Sequence, residues 1–488
     1  MMVVNLYTSR VVLNALGVED FGIYNVVGGV VAMFSILSSS LSAAISRFIT
    51  YELGKGNQEN LNKIFSSAIT IQLGLAGIII LLAETVGFWF LNVKMNIPEI
   101  RMEAANWVFQ FSILTFAINL ISVPYNASII AHEKMSAFAY ISILEAIGKL
   151  AIAYLIVVSP IDKLIFYAIL MCIVALIVRF TYGNYCKRHF SECTYHFIWD
   201  KQLLKQMFGF AGWNFIGAAS AVLRDQGGNV VINLFCGPTV NAARGIAFQV
   251  NTAVNQFVAN FMTALNPQIT KSYAVGNKEY MMTLLFQGAR LSFYMLLLLS
   301  LPILVNTHYI LELWLKIVPE HAVLFVQLVL IFAMSESISQ PLITAMLATG
   351  KIRNYQIIVG GLQMMNLPIS YLLLRLGFFP EIVIIVAICI SQCCLAARLV
   401  LLRGMIGISI RKYLQKVYFN ILTVSAISIV LPLISTQYID ETFIGFIIVS
   451  LIAVVCTIIS IYFIGCNRQE RQFIHQKLDT IRTKITRK

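Results

Sequence analysis

The sequence predicts a polytopic membrane protein built from α-helices. Of its 488 residues, 59% are hydrophobic and 12% are charged, against about 25% charged residues in a soluble protein. Apolar runs of about twenty residues recur along the whole chain, and each can cross a hydrocarbon layer of roughly 30 Å. A net charge of +13 is expected from positive cytoplasmic loops, so we predict no nucleic acid among the partners.

Fourteen segments have the length and apolar character of transmembrane helices. Their approximate bounds are 1–16, 22–47, 64–91, 105–131, 137–158, 163–185, 206–236, 239–267, 282–305, 321–348, 354–376, 380–402, 413–433 and 442–465. The chain opens inside an apolar run without a cytoplasmic lead-in, so we expect the first helix to be clipped. The longest connection is the basic stretch 186–205.

Lysine and arginine separate strongly between the two predicted faces of the membrane. With the N-terminus inside, most of them fall on cytoplasmic connections and on the tail, so both termini are predicted to be cytoplasmic. Apolar residues recur at helical spacing in this tail: Ile474, Leu478, Ile481 and Ile485. An amphipathic helix on the anionic membrane surface is one interpretation of the tail, and a solvated basic tail is the other.

An internal repeat divides the chain into two halves. At an offset of 220 residues, ITYELGKGNQE at 49–59 matches ITKSYAVGNKE at 269–279, and Gly17 matches Gly237. Both matched loops follow an even-numbered helix, which predicts two parallel six-helix lobes related by an axis along the membrane normal, with two helices appended. Such parallel repeats are a transporter architecture. The predicted parts are an N-lobe (1–185), a cytoplasmic linker (186–205), a C-lobe (206–402), helices 13 and 14 (413–465) and a basic tail (466–488).

The nine cysteines do not indicate a disulfide framework, because most lie inside apolar runs, where cysteine behaves as a small hydrophobe. One group has residue types that bind zinc: Cys186, His189, Cys193 and His196. Its spacing matches no established zinc pattern, and a basic interfacial loop explains the same residues. We therefore predict no metal site and no cofactor, and leave the role of this group open.

Several ionisable residues lie inside predicted helices, where each costs at least a few kcal/mol. Glu145 and Lys149 are four residues apart and can pair on one helix face. Others lie near helix ends and can reach an interface: Arg47, Arg179, Arg375, Arg398 and Arg403. Arg290 is ambiguous. The deeper set consists of Arg10, Arg224, Asp225, Arg244 and Glu336.

The stretch SAVLRDQGGNVV, at 220–231, carries two of these charges and a glycine pair. Neighbouring residues of a helix point about 100° apart, so Arg224 and Asp225 are not expected to neutralise each other. Gly227 and Gly228 are the expected site of a bend in the long seventh segment. One interpretation is a charge that enters a cavity, and the other is a buried network joining two helices. Candidates for coupling or gating are Asp225, Gly227, Gly228 and Glu336.

The deep cations outnumber the deep acids, which favours an anionic substrate, because the planar guanidinium suits phosphate. The eighth segment is also rich in amides, in QVNTAVNQFVAN at 249–260. Asn251 and Asn255 fall on the same helix face as Arg244. We expect this face to line the substrate cavity, with helix–helix hydrogen bonding as the alternative.

The opening of the chain resembles a known family. ALGVEDFGIYNVVGGVVAMFSIL at 15–37 is similar to the opening of the Wzx-type polysaccharide and O-antigen flippases, in which a Leu-Gly, an acidic residue and an aromatic-Gly-x-Tyr precede the second helix. Two lobes of six helices plus two more also resemble the multidrug/oligosaccharidyl-lipid/polysaccharide (MOP) exporter superfamily. The residues that carry the resemblance are Leu16, Gly17, Glu19 or Asp20, Phe21, Gly22 and Tyr24.

The resemblance implies a flippase that moves undecaprenyl-pyrophosphate-linked oligosaccharide from the inner to the outer leaflet of the bacterial inner membrane. The implied mechanism is alternating access, and the implied process is the assembly of surface polysaccharide or lipopolysaccharide. The implied partners are membrane lipids, a polysaccharide polymerase and other assembly proteins. The family's essential arginines lie on the first, second and eighth helices, and Arg10, Arg47 and Arg244 match them best. The candidate contacts to pyrophosphate and glycan are therefore Arg10, Arg47, Arg224, Arg244, Asn251 and Asn255.

Three other functions are alternatives. An ion-coupled multidrug or organic cation exporter of the same superfamily would use Asp225 and Glu336 as its cation site. A lipid II flippase would share the two halves and the arginines. A membrane enzyme usually needs a sizeable extramembrane loop, whereas the outward connections are short, and the sequence shows no catalytic motif. We therefore predict no enzyme activity and no catalytic residue.

Overall fold

The computed structural model describes most of the chain after Ser35. The described residues are 8, 11–12, 15–17, 20, 23–24, 27, 35–93, 97–315, 318–440, 442–468, 470–472 and 475–476. Arg10, Glu19, Phe21 and Gly22 lie outside them, as do Ile474, Leu478, Ile481 and Ile485 of the predicted tail helix. The predictions that rest on these residues stay predictions.

The chain divides into two compact units. The first holds Met1–Ala219 and Thr270–Gly276, and the second holds Ser220–Ile269 and Asn277–Lys488. In the first unit the helices are α1 (Ser35–Lys55), α2 (Gln58–Val93), α3 (Glu99–Ala131), α4 (Met135–Val158) and α5 (Lys163–His189). The next helix, α6 (Lys201–Ala274), contributes residues to both units. The second unit continues with α7 (Lys278–Val305), α8 (Thr307–Leu315), α9 (Ala322–Thr349), α10 (Arg353–Arg375), α11 (Ile382–Ile406), α12 (Ile410–Ser435) and α13 (Phe443–Gly465).

Ten of the described helices are long and apolar enough to cross a membrane, namely α2–α5, α7 and α9–α13. With α1 and the two arms of α6, 201–236 and 238–274, thirteen of the fourteen predicted segments are helical among the described residues. The predicted class, an all-helical polytopic membrane protein, is confirmed. Of the predicted segments, 1–16 lies mostly outside the described part.

Several helices extend beyond their predicted bounds, because apolar character marks the span and not the full helix. The second predicted segment ends at 47, whereas α1 continues to Lys55. The basic linker, predicted at 186–205, is shorter. Helix α5 continues to His189 and α6 begins at Lys201, where Asp200 caps the new helix by accepting from two backbone N–H groups. The predicted lobe division differs from the two compact units and remains a prediction.

The repeat has a local structural basis. Gly56 and Gly276 both adopt positive φ, 71° and 78°, after a helix end, and Gly17 and Gly237 do so at 83° and 82°. The residue after each loop glycine caps the next helix in the same way. Asn57 accepts from the backbone N–H of Asn60, and Asn277 from that of Tyr280. Glycine tolerates this backbone conformation and asparagine suits the cap, so the matched letters specify matched turns.

An ion-pair network lies at the start of α3 and involves Asp20, one of the two acidic residues of the stretch 15–37. Arg101 donates from Nε to Asp20 Oδ1 at 2.8 Å and from Nη1 to Asp162 Oδ2 at 2.6 Å. Asp162 also caps α5, accepting from the backbone N–H groups of Leu164 and Ile165. Arg101 therefore holds Asp20 and the start of α5 against the start of α3 within the first unit.

Candidate functional site

The charges of the 220–231 stretch form an ion pair, contrary to the sequence-based expectation. Arg224 donates from Nε to Asp225 Oδ1 at 2.8 Å and from Nη2 to Oδ2 at 3.4 Å. The expectation was wrong because it considered the directions of the two Cβ atoms and not the length of the arginine side chain, which lets the guanidinium turn back to its neighbour. The Arg224 guanidinium also lies 5.0 Å from the ring centre of Phe332, on α9.

Arg244, on the second arm of α6, is buried beside this pair with 4% of its surface exposed. Its Nη1 donates to Asn229 Oδ1 and its Nη2 donates to the backbone carbonyl of Asp225 at 3.2 Å. The guanidinium lies 4.3 Å from the ring centre of Phe248. Arg244 is thus held by neutral oxygens, whereas Arg224 is held by a carboxylate.

Asn229 was not among the candidates identified from the sequence. It directly follows the glycine pair in RDQGGNVV, and an amide at the end of this polar stretch was the available signal, because an amide in lipid needs a partner. Its side chain accepts from Arg244 and donates to Gln226 Oε1 at 3.1 Å. Asn229 therefore orients Arg244 across the two arms of α6.

The helix is not interrupted at the glycine pair, and the bend expected there stays a prediction, as does a gating role of Gly227 and Gly228. Residues 201–236 are continuously helical, and Gly237 alone has non-helical angles within α6, with φ 82° and ψ 177°. Both glycines are buried packing positions. A Cβ atom on Gly227 would lie 2.0 Å from Leu367 Cδ1, and one on Gly228 would lie 2.9 Å from Arg244 Nη2. These glycines permit close approach of α10 and of the Arg244 side chain.

The polar cluster encloses little space. A cavity of about 10 Å³ lies among the side chains of Arg224, Asp225, Arg244 and their neighbours from α9, α10 and α11, which is about the minimum for one water. Phe332 and Asn366 are among the lining residues. We call this group the Arg244 cluster: Arg224, Asp225, Asn229, Arg244, Phe248, Phe332 and Asn366. It carries two guanidinium groups and one carboxylate.

Glu336 belongs to a separate hydrogen-bonded network between α9 and α11. Ser391 donates to Glu336 Oε1 at 2.7 Å and lies 2.9 Å from the Ser335 hydroxyl. Gln392 donates to Ser335 Oγ at 2.5 Å and accepts from the Tyr418 hydroxyl at 3.0 Å. The network satisfies a membrane-embedded carboxylate with neutral donors. Glu336 stays a candidate for coupling or gating.

Two arginines outside the candidate set are buried. Arg398, expected to reach an interface, is 1% exposed and lies beside Tyr355. The expectation was wrong because packing by neighbouring helices, which sequence position does not reveal, encloses this end of α11. Arg290, 8% exposed, pairs with Glu470 at 2.5 Å and donates to the backbone carbonyl of Gly465 at 3.0 Å. Arg290 therefore anchors the beginning of the tail.

The predicted pair of Glu145 and Lys149 is confirmed, with 2.6 Å between Oε1 and Nζ. Asn251 and Asn255 also bond to each other, since Asn255 Nδ2 donates to Asn251 Oδ1 at 2.6 Å. Both asparagines are half-buried. Their role in glycan binding stays a prediction.

Arg47 lies in a different environment, within the first unit. Its guanidinium lies 4.7 Å from the ring centres of both Phe48 and Tyr51, and 5.7 Å from that of Phe210 on α6. The aromatic rings favour a cation at this position. A substrate contact by Arg47 remains a prediction.

Of the residues in the Cys/His group, Cys186 and Cys193 contact each other. All nine cysteines are free. His189 stacks on Tyr185, with 4.2 Å between ring centres, and His196 is exposed. In the described part of the chain no group of three histidine, cysteine or acidic side chains is placed to hold a metal ion.

The sequence model of one family, described as "Polysaccharide biosynthesis protein", matches residues 2–273, which is more than half of the chain. The chain belongs to the polysaccharide biosynthesis protein family. A curated relative of this family member is the "Uncharacterized membrane protein EpsK" of Bacillus subtilis (strain 168), 19% identical over 301 residues. The match covers 61% of this chain and 58% of EpsK, so the chain spans less than two thirds of the relative's length.

Solved structures share the fold of this polysaccharide biosynthesis protein. A multidrug resistance MATE family transporter of the MOP superfamily, in an outward-facing conformation, matches with a TM-score of 0.70 at 14% identity. A MOP superfamily transporter from Pyrococcus furiosus matches with a TM-score of 0.66 at 15% identity. Each match covers 83% of this chain and 92% of the other. At these identities the matches show the fold alone, and it is the fold that the resemblance to the MOP superfamily implies.

Proposed function

We propose that this protein is a flippase that moves undecaprenyl-pyrophosphate-linked oligosaccharide from the inner to the outer leaflet by alternating access. Membership of the polysaccharide biosynthesis family supports a glycan-linked substrate. The shared fold with transporters of the MOP superfamily supports translocation over catalysis. The internal repeat supports two parallel halves, an architecture found in transporters.

The observation that carries the proposal is the bonding of Arg244. Its acceptors are an amide oxygen and a backbone carbonyl, while the nearby carboxylate of Asp225 is already engaged by Arg224. A hydrogen bond to an anion adds the Coulomb attraction between opposite charges, which grows as the local dielectric constant falls. A pyrophosphate can therefore displace the neutral acceptors of Arg244 and gain bonds that they do not supply.

The Arg244 cluster must open before it can hold a pyrophosphate, because its cavity holds about one water. Opening requires that Arg244 leave Asn229, and a phosphate that replaces Asn229 compensates for that loss. The cluster would therefore change shape when substrate binds, which is the property that alternating access requires.

The charge of the Arg244 cluster also favours an anionic substrate over a cationic one. The cluster itself holds two guanidinium groups and one carboxylate, and the carboxylate of Glu336 also acts on Arg224. Among the described residues, Arg244 is the guanidinium of the cluster that bonds to no carboxylate. Polarity varies within the superfamily, since the Pyrococcus furiosus transporter is described by a reverse polarity of its binding pocket that suggests a different function.

The proposed location is the bacterial inner membrane, with both termini cytoplasmic as the positive-inside rule predicts. The proposed assembly partners are the polysaccharide polymerase and other proteins that receive the translocated glycan, and the product feeds surface polysaccharide or lipopolysaccharide assembly. No nucleic acid takes part. No residue is assigned a catalytic role.

The test uses proteoliposomes that hold the full chain and a fluorescent undecaprenyl-pyrophosphate oligosaccharide, with exposure at the opposite leaflet as the readout. We expect Arg244→Ala to lower the flipping rate by about 10- to 100-fold, because a hydrogen bond to a charged group is worth about 1.5–3 kcal/mol. Arg403→Ala is the matched control, since Arg403 is exposed in the last turn of α11. We expect the control to stay within about twofold of wild type.

Two further measurements distinguish the alternative functions. If wild type does not flip this lipid but exports an organic cation, and Asp225→Asn abolishes that export, the protein is an ion-coupled exporter and the proposal fails. If lipid II is flipped faster than the oligosaccharide lipid, the substrate class is lipid II. Flipping that survives Arg244→Ala unchanged would falsify the assigned role of the Arg244 cluster.

A further inference from the structure

A groove outside the Arg244 cluster lies at the end of α5, within the first unit. It has a volume of about 920 Å³, far larger than the cavity of the Arg244 cluster. We call it the Arg179 groove and define it by six of its lining residues: Tyr125, Arg179, Gly183, Tyr185, Arg188 and Cys193. Lys187 and His189 line it as well, and no acidic residue does.

Arg179 is held in a fixed position in this groove. Its guanidinium lies 3.9 Å from the ring centre of Tyr125, on α3. It also passes directly over Gly183, where a Cβ atom would lie 2.7 Å from Nη1. Within the described part of the chain Arg179 pairs with no carboxylate. A stacked, immobilised guanidinium without an acidic partner is organised to receive an anion.

Position along the helix separates Arg179 from the other cations. Lys187, Arg188 and His189 lie in the last turn of α5, where the helix dipole and the positive-inside rule both account for cations. Arg179 lies ten residues before that end, about 15 Å along the axis. The helix dipole, which acts within the last turn, does not account for an arginine at this position.

The surface beside Arg179 suits an acyl chain. Ile173, Ile177 and Phe180 lie on one face of α5 at helical spacing and are 43%, 48% and 77% exposed. A ligand that contacts both surfaces therefore carries a phosphate next to a hydrocarbon chain. Basic pockets at the cytoplasmic ends of transmembrane helices bind such lipid head groups.

We propose that the Arg179 groove binds the phosphate head group of an anionic phospholipid, with an acyl chain along the exposed face of α5. Arg179 holds the phosphate, Lys187 and Arg188 add charge at the rim, and Tyr125 fixes the guanidinium. The phospholipid comes from the leaflet at which α5 ends. This is the inner leaflet in the proposed orientation.

The test counts lipids that stay bound to the purified full chain by native mass spectrometry, after incubation with phosphatidylglycerol or phosphatidylcholine. We expect wild type to retain phosphatidylglycerol at least about tenfold better than phosphatidylcholine, and Arg179→Gln to lose this preference. Gly183→Ala keeps the charge but moves the guanidinium, so its retention should fall as well. Lys205→Gln removes one exposed charge outside the groove and should retain lipid like wild type.

Equal retention by wild type and Arg179→Gln would overturn the proposal, provided that both elute as folded protein in gel filtration. A second arm adds millimolar inorganic phosphate. If phosphate displaces phosphatidylglycerol completely, the groove is a site for free phosphate and the lipid assignment is wrong. If phosphatidylglycerol stays bound, the acyl chain contributes as proposed. Lipid retention is measured without flipping, so the result is independent of the proposed substrate.

Discussion

Arg244 and Arg179 each lie against a glycine, and the two sites differ in what surrounds the guanidinium. Arg244 lies over Gly228 of the neighbouring arm, donates to Asn229 and to a backbone carbonyl, and is 4% exposed. Arg179 lies over Gly183 of its own helix, stacks on an aromatic ring and borders an open groove. One arginine must exchange its partners to bind an anion, and the other is ready to bind one.

A membrane-embedded arginine can therefore be satisfied in two ways. Hydrogen bonds to neutral oxygens close a site until a stronger acceptor arrives. A stacked ring stabilises the cation without occupying its N–H groups, so the site stays open. The first arrangement suits a substrate that must be released again, and the second suits a lipid that stays bound.

Alanine substitutions at Gly228 and Gly183 should affect flipping very differently. Gly228→Ala places a Cβ atom 2.9 Å from Arg244 Nη2, so the guanidinium must leave its position. We expect the flipping rate to fall by about tenfold, which corresponds to about 1.4 kcal/mol. Gly183→Ala, which displaces Arg179 instead, should leave flipping within about twofold of wild type. The fluorescent-lipid assay measures both.

Equal loss of flipping in the two variants would contradict this separation. It would mean that the Arg179 groove takes part in translocation, or that both substitutions disturb the fold. Gly245→Ala is a control for the added methyl group, because nothing lies within 4 Å of the Cβ position of this neighbour of Arg244. We expect this variant to flip lipid like wild type.

A smaller effect is expected on thermal stability, from substitution of Gly227 in the glycine pair. Gly227→Ala places a Cβ atom 2.0 Å from Leu367 Cδ1, and such overpacking typically costs about 1–3 kcal/mol. We expect a lower midpoint of thermal unfolding in detergent. Gly212→Ala on the same arm meets nothing within 4 Å and should be neutral or stabilising by up to about 1 kcal/mol. If both variants unfold at the same temperature, Leu367 does not require the glycine.

The smallest effect is a pH dependence confined to the first unit. Glu192 precedes Cys193 of the Arg179 groove and lies outside the membrane spans, 2% exposed. Burial raises the pKa of its carboxyl, but hydrogen bonds from His132 and Gln58 outweigh burial, so the pKa lies below its ordinary value of 4.5. His132 Nε2 lies 2.6 Å from Glu192 Oε1.

Because the pKa of Glu192 is lowered by folding, its contribution to stability is full above pH 4.5 and is lost as the pH falls through the lower, folded value. We expect the unfolding midpoint of wild type to drop from about pH 5 downward, and that of Glu192→Gln to drop less. The measurement is thermal unfolding between pH 7 and pH 3 in steps. Parallel curves for the two proteins would show that Glu192 does not stabilise the linker.

Much of the fold follows from local sequence. Apolar runs locate the spans because the bilayer imposes the same length on each helix. The loops GNQE and GNKE form the same turn because the effects of glycine and asparagine are local. Gly56 and Gly276 adopt positive φ, and the asparagine after each of them caps the next helix. The pair of Glu145 and Lys149 is equally local, since one helix turn brings the two side chains together.

The partners of buried charges were predicted poorly, for a physical reason. An arginine side chain is long and flexible, so its guanidinium can reach an adjacent residue, a neighbouring arm or a distant helix. Arg224 pairs with Asp225, Arg244 bonds to Asn229, and Arg398 is buried with 1% of its surface exposed. No periodic pattern in the sequence predicts these partners or this burial.

The class of the protein, its spans and its internal repeat follow from the sequence alone, because each depends on hydropathy, charge or backbone preference within a few residues. Only the folded chain shows that Gly237 breaks α6, that Gly227 and Gly228 lie close against Leu367 and Arg244, and that Arg244 is bonded to neutral acceptors. These outcomes depend on which side chains α10 and the second arm of α6 bring within a few ångströms. In a close-packed interior, shifts of a fraction of an ångström change which atoms are in contact. The sequence does not give the distances between segments that are far apart along the chain.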